Sequence, residues 1–402
     1  MKKLSKRTDA GLAFLLIACS LMISCATTGP GRTLEQRTRG LYADGADLYR
    51  KGNYIQAIYL LKQAIDFKPE FAEAYYVLGL TYIKTEDYEK AIKNLNEAEE
   101  LDQTLEKPAY DRADVKFNLG LAYLGQDDYD TARKLLEEAV TLRSEFAEAH
   151  YNLAFISEKQ DDNDAAIKHL NNAIDADSTM DKAYVALGSL HKEKGDLEKA
   201  QQNFERAIEI NRDNKQAYNE LGKLFREKKD YEKAARYLRK ATQLDNKYTE
   251  AYLNLGSVYV DMDALDKALN TFQKAVEIDS TLPEGYMNLA QVHYLAGDTT
   301  AALNSYEKVL ELKPKKPLVN YQMGQIFEQQ GHISNAIEAY KREIEINPDH
   351  AFSHFNLAVL LHKQGKLDQA LEEYRNFVAL VPEDDERAKK VRNILSRLEE
   401  LN

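Results

Sequence analysis

Residues 251–280 read AYLNLGSVYVDMDALDKALNTFQKAVEIDS. Tyr252, Leu255, Gly256 and Tyr259 recur three and four residues apart, which is one face of a first helix. Ala268, Phe272 and Ala275 repeat that spacing on a second helix. A short polar link joins the two, as at Gly195-Asp196, Gly297-Asp298 and Lys51-Gly52-Asn53, and Pro69, Pro314, Pro348 and Pro382 stop several second helices. The pair recurs along the chain. Ala57, Ala91, Ala132, Ala166, Ala200, Ala234, Ala268, Ala302, Ala336 and Ala370 fall 34 residues apart, except for one step of 41 after Ala91. Twelve residues before each stands a glycine or another alanine: Gly45, Gly79, Gly120, Ala154, Gly188, Gly222, Gly256, Ala290, Gly324 and Ala358. A fixed period of this size marks an array in which each repeat packs on its neighbours, so a chain of 402 residues needs no single core.

These residues resemble the tetratricopeptide repeat, a pair of antiparallel helices. The resemblance covers residues 38–384 as ten repeats: 38–71, 72–105, 113–146, 147–180, 181–214, 215–248, 249–282, 283–316, 317–350 and 351–384. The family's first-helix tryptophan is absent, and tyrosine stands there in five repeats (Tyr75, Tyr184, Tyr218, Tyr252, Tyr286). The resemblance implies an all-α fold, a right-handed α-solenoid of ten helix pairs. Residues 385–402, with Val391, Ile394, Leu395 and Leu398 on one stripe, are expected to form a capping helix over the end of the stack. The small residues belong where the paired helices approach most closely, so Ala268→Leu should cost about 1–3 kcal/mol by overpacking. The long step places seven extra residues near Gln103–Tyr110, either a tolerated loop or a docking excursion.

The net charge of −12 argues against nucleic acid as a partner, since an acidic surface repels phosphate. Eight histidines show no zinc spacing, the closest pair being His350 and His354 at a helix start, and no phosphate loop or nucleophile elbow occurs. No enzyme activity, cofactor, metal or small-molecule substrate is expected. Both cysteines, Cys19 and Cys25, lie near the N-terminus, which leaves none for disulfides in the repeats.

That N-terminus reads as an address. Lys2, Lys3, Lys6 and Arg7 precede the apolar run GLAFLLIACSLMIS (11–24), too short for a comfortable membrane span. Met22-Ile23-Ser24-Cys25 resembles the bacterial lipoprotein signal, in which the cysteine becomes the first mature residue and carries lipid. Leu16-Ile17-Ala18-Cys19 is a competing box, but it leaves a shorter apolar core, so Cys25 is favoured. The reading is a signal peptide over 1–24 and a flexible tether over 25–37. Ala26 stands where an aspartate would hold such lipoproteins at the inner membrane, so the resemblance implies the outer membrane, facing the periplasm. Removing residues 1–24 takes away Lys2, Lys3, Lys6, Arg7 and Asp9, and the net charge of −12 becomes −15.

In the resembled family the first helices line a concave groove. The positions three before, one after and four after the small residue face it. Here they give Tyr76 and Leu80, Phe117 and Leu121, and Tyr151 and Phe155 as an apolar, partner-binding stretch for an amphipathic or extended segment. Such rings also pack partly on the adjacent helix. Lys192, Lys223 and Arg226 form an expected basic island for a carboxylate on the same ligand. Asn118, Asn152, Asn254, Asn288 and Asn356, two before the small residue, resemble a ladder that clamps peptide backbone, interrupted at Ala186 and Glu220. Replacing Phe117 and Tyr151 with serine should weaken capture and leave helicity intact.

The expected function is a lipid-anchored scaffold that holds a polypeptide partner during envelope assembly, with a resemblance in parts to pilotin-like lipoproteins of pilus and secretin assembly. The alternatives are a regulator of a periplasmic cell-wall hydrolase and a component of polysaccharide export.

Overall fold

The computed structural model describes residues 33–102 and 110–399. These residues form 21 helices and no strand. The chain divides into two compact halves, residues 1–194 and 195–402. In the first half, helix hairpins follow one another: Leu34–Arg50 with Tyr54–Phe67, Ala72–Lys84 with Tyr88–Asp102, Arg112–Leu124 with Tyr129–Leu142, and Ala147–Lys159 with Asn163–Ala176. Asp181–Glu193, the first helix of repeat five, ends this half. The second half opens with Leu197–Ile210. Five hairpins follow, in repeats six to ten, from Lys215–Glu227 with Tyr231–Leu244 to Ala351–Lys363 with Leu367–Leu380. Each half packs its consecutive pairs as a helical-repeat solenoid, which is the all-α class expected from the sequence.

The 34-residue pattern becomes physical at the small residues. All ten marker alanines are fully buried. A methyl group added to Gly222 would lie 2.3 Å from Cγ of Leu238, and one on Gly256 or Gly324 would lie 2.5 Å from a ring carbon of Phe272 or Tyr340. In these repeats, and at Gly45, Gly79 and Gly120, the facing residue is four after the marker alanine. The hairpin turn requires a left-handed residue. Gly297, Gly331 and Gly365 supply it with φ of 75–82°, while Glu86, Asp127, Asp161, Lys229 and Asp263 take φ of 56–60° at the same place. Aspartate then caps the second helix: Asp128, Asp162, Asp230 and Asp298 accept from the backbone N–H three residues on.

The first helix begins earlier than the sequence reading placed it. Thr33 and Gln36 form a capping box in which each side chain accepts from the other's backbone N–H, so the helix starts at Leu34. Residues 34–37, read as the end of a tether, therefore belong to the fold. Glu386–Glu399 is a helix that buries Ala388 and Val391 against Leu361 and Phe377, with Ile394 and Leu395 packed alongside. Cys19, Cys25, the signal segment and residues 103–109 of the long step lie outside the described residues. Tyr110, the last residue of that step, donates its hydroxyl to the carbonyl of Ala98.

Candidate functional site

The apolar positions of the first helices divide into two kinds. The ring three before the small residue packs on the residue at, or just before, the N-cap of the next repeat's first helix. Tyr42 meets Phe71 at 5.0 Å between centroids, Tyr76 stacks on Tyr110 at 4.6 Å, and Phe117 meets Phe146 at 4.7 Å. In the second half Tyr321 meets His350 edge-on at 4.7 Å. The contact at Phe146 is extended by Arg143, whose guanidinium sits 3.8 Å from that ring and pairs with Asp111 and Asp114. Tyr151 packs against the buried group that holds Leu187 and Leu190, and the Lys182 ammonium lies 4.6 Å from its ring centre. Burial raises the Tyr76 hydroxyl well above the usual phenol range, aided by the charge of Asp114. These rings join repeat to repeat. Serine at Phe117 and Tyr151 would therefore disturb packing between helices as well as any capture, a cost that the expectation of weakened capture with intact helicity did not include.

The residue one after the small position is the more accessible kind. Leu80 and Leu121 are half-buried on Ala72–Lys84 and Arg112–Leu124, and Phe155 on Ala147–Lys159 is 41 % exposed. First helices of consecutive repeats touch, Leu34–Arg50 with Ala72–Lys84 and Ala72–Lys84 with Arg112–Leu124, so Leu80 and Leu121 lie on adjoining helices, and Phe155 holds the same register place in the next repeat. In the second half Tyr294 (43 % exposed), Leu295 (51 %) and Leu312 (37 %) are the open large apolar residues of their repeat.

The asparagines have acceptors within the fold. Asn118 donates to the Asp114 carbonyl at 2.6 Å and to the Tyr76 hydroxyl at 3.2 Å. Asn152 donates to the Glu148 carbonyl at 2.7 Å, and Asn356 to the Tyr340 hydroxyl at 3.3 Å. Asn254 donates to Oδ1 of Asn219 at 2.9 Å, and Asn219, fully buried, donates to Glu250 at 3.0 Å. Both amide hydrogens of Asn118 are thereby committed. Asn118 and Asn254 tie neighbouring first helices together. Asn288 is half-buried on Pro283–Leu295.

The basic island is not a free positive surface. Lys223 donates to Glu220 at 2.7 Å and lies 3.6 Å from Glu250, while Arg226 pairs with Asp261 at 2.5 Å. Burial lowers the Lys223 ammonium, but pairing with Glu220 and Glu250 outweighs it and holds the group above its ordinary value. Lys192 belongs to the first half and is itself engaged. Each cation was legible in the sequence; its acid, 27 residues away for Glu250 and 35 for Asp261, was not.

Reading by residue type also passed over the position four before the small residue. His150 and His354 stand there, and each ring Nε2 meets a carbonyl six residues back, of Ser144 at 3.1 Å and Pro348 at 2.9 Å. Their Nδ1 atoms face the second helix of the same repeat, at His169 (3.4 Å) and Glu373 (2.5 Å). The shared offset of 19 residues was the available signal. Lys116 holds the same place in repeat three and bridges Glu99 and Glu138 at 2.8 and 3.0 Å. A cavity of about 550 Å³ opens at the first repeat, lined by Leu34, Thr38, Tyr42, Phe67 and Phe71 with charges at its rim. Among the described residues no group of three potential metal ligands occurs, and no helix is long and apolar enough to cross a membrane.

Three models of the tetratricopeptide repeat match the chain. One matches residues 70–145, 179–247 and 247–315, a second 45–86 and 324–365, and a third 117–181. A search of the curated proteins returns no match. Among solved structures, MamA is 24 % identical over 41 % of this chain and 91 % of its own, with a TM-score of 0.39. PilF of Pseudomonas aeruginosa is 19 % identical over 53 % and 96 %, TM-score 0.47. PilW, a type IV pilus biogenesis factor, is 16 % identical over 54 % and 100 %, TM-score 0.49. With the first model alone matching more than half of the sequence, and with the helix pairs in place, the chain belongs to the tetratricopeptide repeat family and is a protein–protein interaction scaffold.

Proposed function

We propose that this scaffold is a lipoprotein of the bacterial outer membrane, facing the periplasm, that captures a polypeptide segment during assembly of an envelope complex. The observation that carries the capture is the apolar series Leu80, Leu121 and Phe155 at one register place of three consecutive first helices, the first two on helices that touch, with Leu80 and Leu121 half-buried and Phe155 exposed. A partner helix or strand laid along that series would bury them, with the rims of Tyr76, Phe117 and Tyr151 beside it. Their rigidity is an asset, because rings already fixed by inter-repeat packing lose little freedom on binding. The anchoring rests on the sequence of residues 1–25, with Cys25 as the lipidated residue.

In-cell photo-crosslinking from positions 80 and 121 tests the capture. Wild-type protein should yield one dominant envelope partner, and Phe155→Ser with Leu121→Ser should lose it while keeping its helical spectrum. Whether the partner is a secretin or pilus component, a cell-wall hydrolase or an export protein then names the pathway. Identical capture by the variant removes the series as the working surface. For the anchor, Cys25→Ser should abolish acyl labelling and release the protein from the membrane fraction; loss with Cys19→Ser instead would move the site.

A further inference from the structure

Two exposed positions flank the marker alanine of every second helix. Two residues before it stand Glu89, Asp130, Asp164, Glu198, Glu232, Asp266 and Asp368 in seven repeats, with Thr300 and Ser334 in two more. Two residues after it stand Lys93, Lys134, Lys168, Gln202, Arg236, Asn270, Asn304, Glu338 and Glu372. All eighteen are exposed and none is apolar. The first repeat breaks both rules: Ile55 and Tyr59 occupy these places, 67 % and 46 % exposed. They lie one turn apart on Tyr54–Phe67, on its outer side.

Ile55 is also costly where it stands. It is the second residue of its helix, where an acid is favoured by the positive end of the helix dipole, typically by about 0.3–1 kcal/mol. The first helical turn here holds no acid, and Asn53 makes no side-chain cap. The helix end therefore stays positive beside an open apolar stripe. The surrounding charge changes sign as well. Residues 25–71 carry seven basic and five acidic side chains, net +2, so residues 72–402 carry −17 of the mature −15. Seven residues, 26–32, separate Cys25 from Thr33, a reach of about 25 Å at most.

We infer that the outer face of the first repeat, through Ile55 and Tyr59, rests on the lipid surface to which Cys25 is tied. This deepens the lipoprotein reading and rests on it. A short tether brings the face within reach of the headgroups. An aliphatic and a tyrosine side chain with a net positive surround suit the interface between acyl chains and anionic headgroups, whereas the acidic repeats beyond are repelled from it. The anchor and the face together would fix how the array leaves the membrane, which attachment at a single residue cannot do.

The chain contains no tryptophan, so one introduced residue reports alone. The lipidated full-length protein is extracted and reconstituted into vesicles of phosphatidylethanolamine and phosphatidylglycerol with brominated acyl chains. Tyr59→Trp is compared with Lys93→Trp, the same place one repeat later. The expected result is blue-shifted emission and severalfold stronger bromine quenching for Tyr59→Trp only. In parallel, Ile55→Glu with Tyr59→Lys, which copies the second repeat, should float with vesicles yet lose vesicle-dependent hydrogen-exchange protection over 54–67. Flotation with equal, weak quenching at both places overturns the docking and leaves the anchor standing. A blue shift that grows with protein density but ignores bromine assigns the face to a second copy and also overturns it. Protein that does not float, and takes no acyl label at Cys25, overturns the anchor and the docking with it.

Discussion

Gly256→Ala sets two measurable terms against each other. In an exposed helix the change would stabilise by about 0.5–1 kcal/mol, because glycine loses more backbone freedom on folding. Here the new methyl would lie 2.5, 2.7 and 2.7 Å from three ring atoms of Phe272, and that ring is 1 % exposed, with Val276, Leu289 and Val292 in the same packed group. The ring has no solvent to swing into. Overpacking of this kind costs about 1–3 kcal/mol, so the sum runs from about zero to about 2.5 kcal/mol of destabilisation, near 1 at mid-range. The chain itself suggests the rescue. Repeat four has alanine at this place and leucine opposite it (Ala154, Leu170). Phe272→Leu should therefore absorb the methyl, and the double variant should be no less stable than Phe272→Leu alone. That is a favourable coupling at least as large as the cost of Gly256→Ala alone, about 1 kcal/mol at mid-range. Urea unfolding followed by circular dichroism gives the energies, and hydrogen exchange over Thr249–Asp261 locates them. If Gly256→Ala stabilises by about 1 kcal/mol and the two changes are additive, close helix approach is not why glycine stands here.

Lys223→Met strips the nearly buried Glu220 of its cation and should cost about 1–3 kcal/mol in urea unfolding; adding Glu220→Gln should restore most of it. Phe117→Ser removes a ring packed on Phe146 and should lower stability by about 2–4 kcal/mol, whereas Phe155→Ser should change it by less than about 1. The histidines predict opposite pH responses. Burial first, and mutual repulsion for His169, hold His150 and His169 below their ordinary value of 6.5. Their contribution is present above about 6.5 and is lost as pH falls through the folded values. His354 is raised, chiefly by its hydrogen bond to Glu373, so its contribution is present below about 6.5 and is lost as pH rises through the folded value. Melting temperatures between pH 5 and 8 should flatten on the acid side in His169→Gln and on the alkaline side in His354→Gln.

The candidate site was legible only in part. The offsets from Gly79, Gly120 and Ala154 correctly identified side chains of the first helices, because a 34-residue period fixes which face each offset occupies. They did not separate Phe117, which packs on Phe146, from Phe155, which is open. That distinction depends on which residue caps the next first helix, a tertiary neighbour 29 residues away. Lys223 and Arg226 were misread as an open cationic patch for the same reason: a cation's partner is set by which helices lie side by side, not by its own neighbours in sequence.

The sequence by itself determined the succession of helices and the close approach at small residues such as Gly79, Gly222 and Gly256. Those follow from local periodicity and side-chain volume, which recur ten times and leave no other packing open. Only the tertiary structure decided which polar and aromatic groups remain available to a partner. Hydrogen bonds and ion pairs between repeats join residues such as Asn254 to Asn219 and Arg226 to Asp261, 35 positions apart. Their formation depends on distances of a few tenths of an ångström that no spacing rule carries.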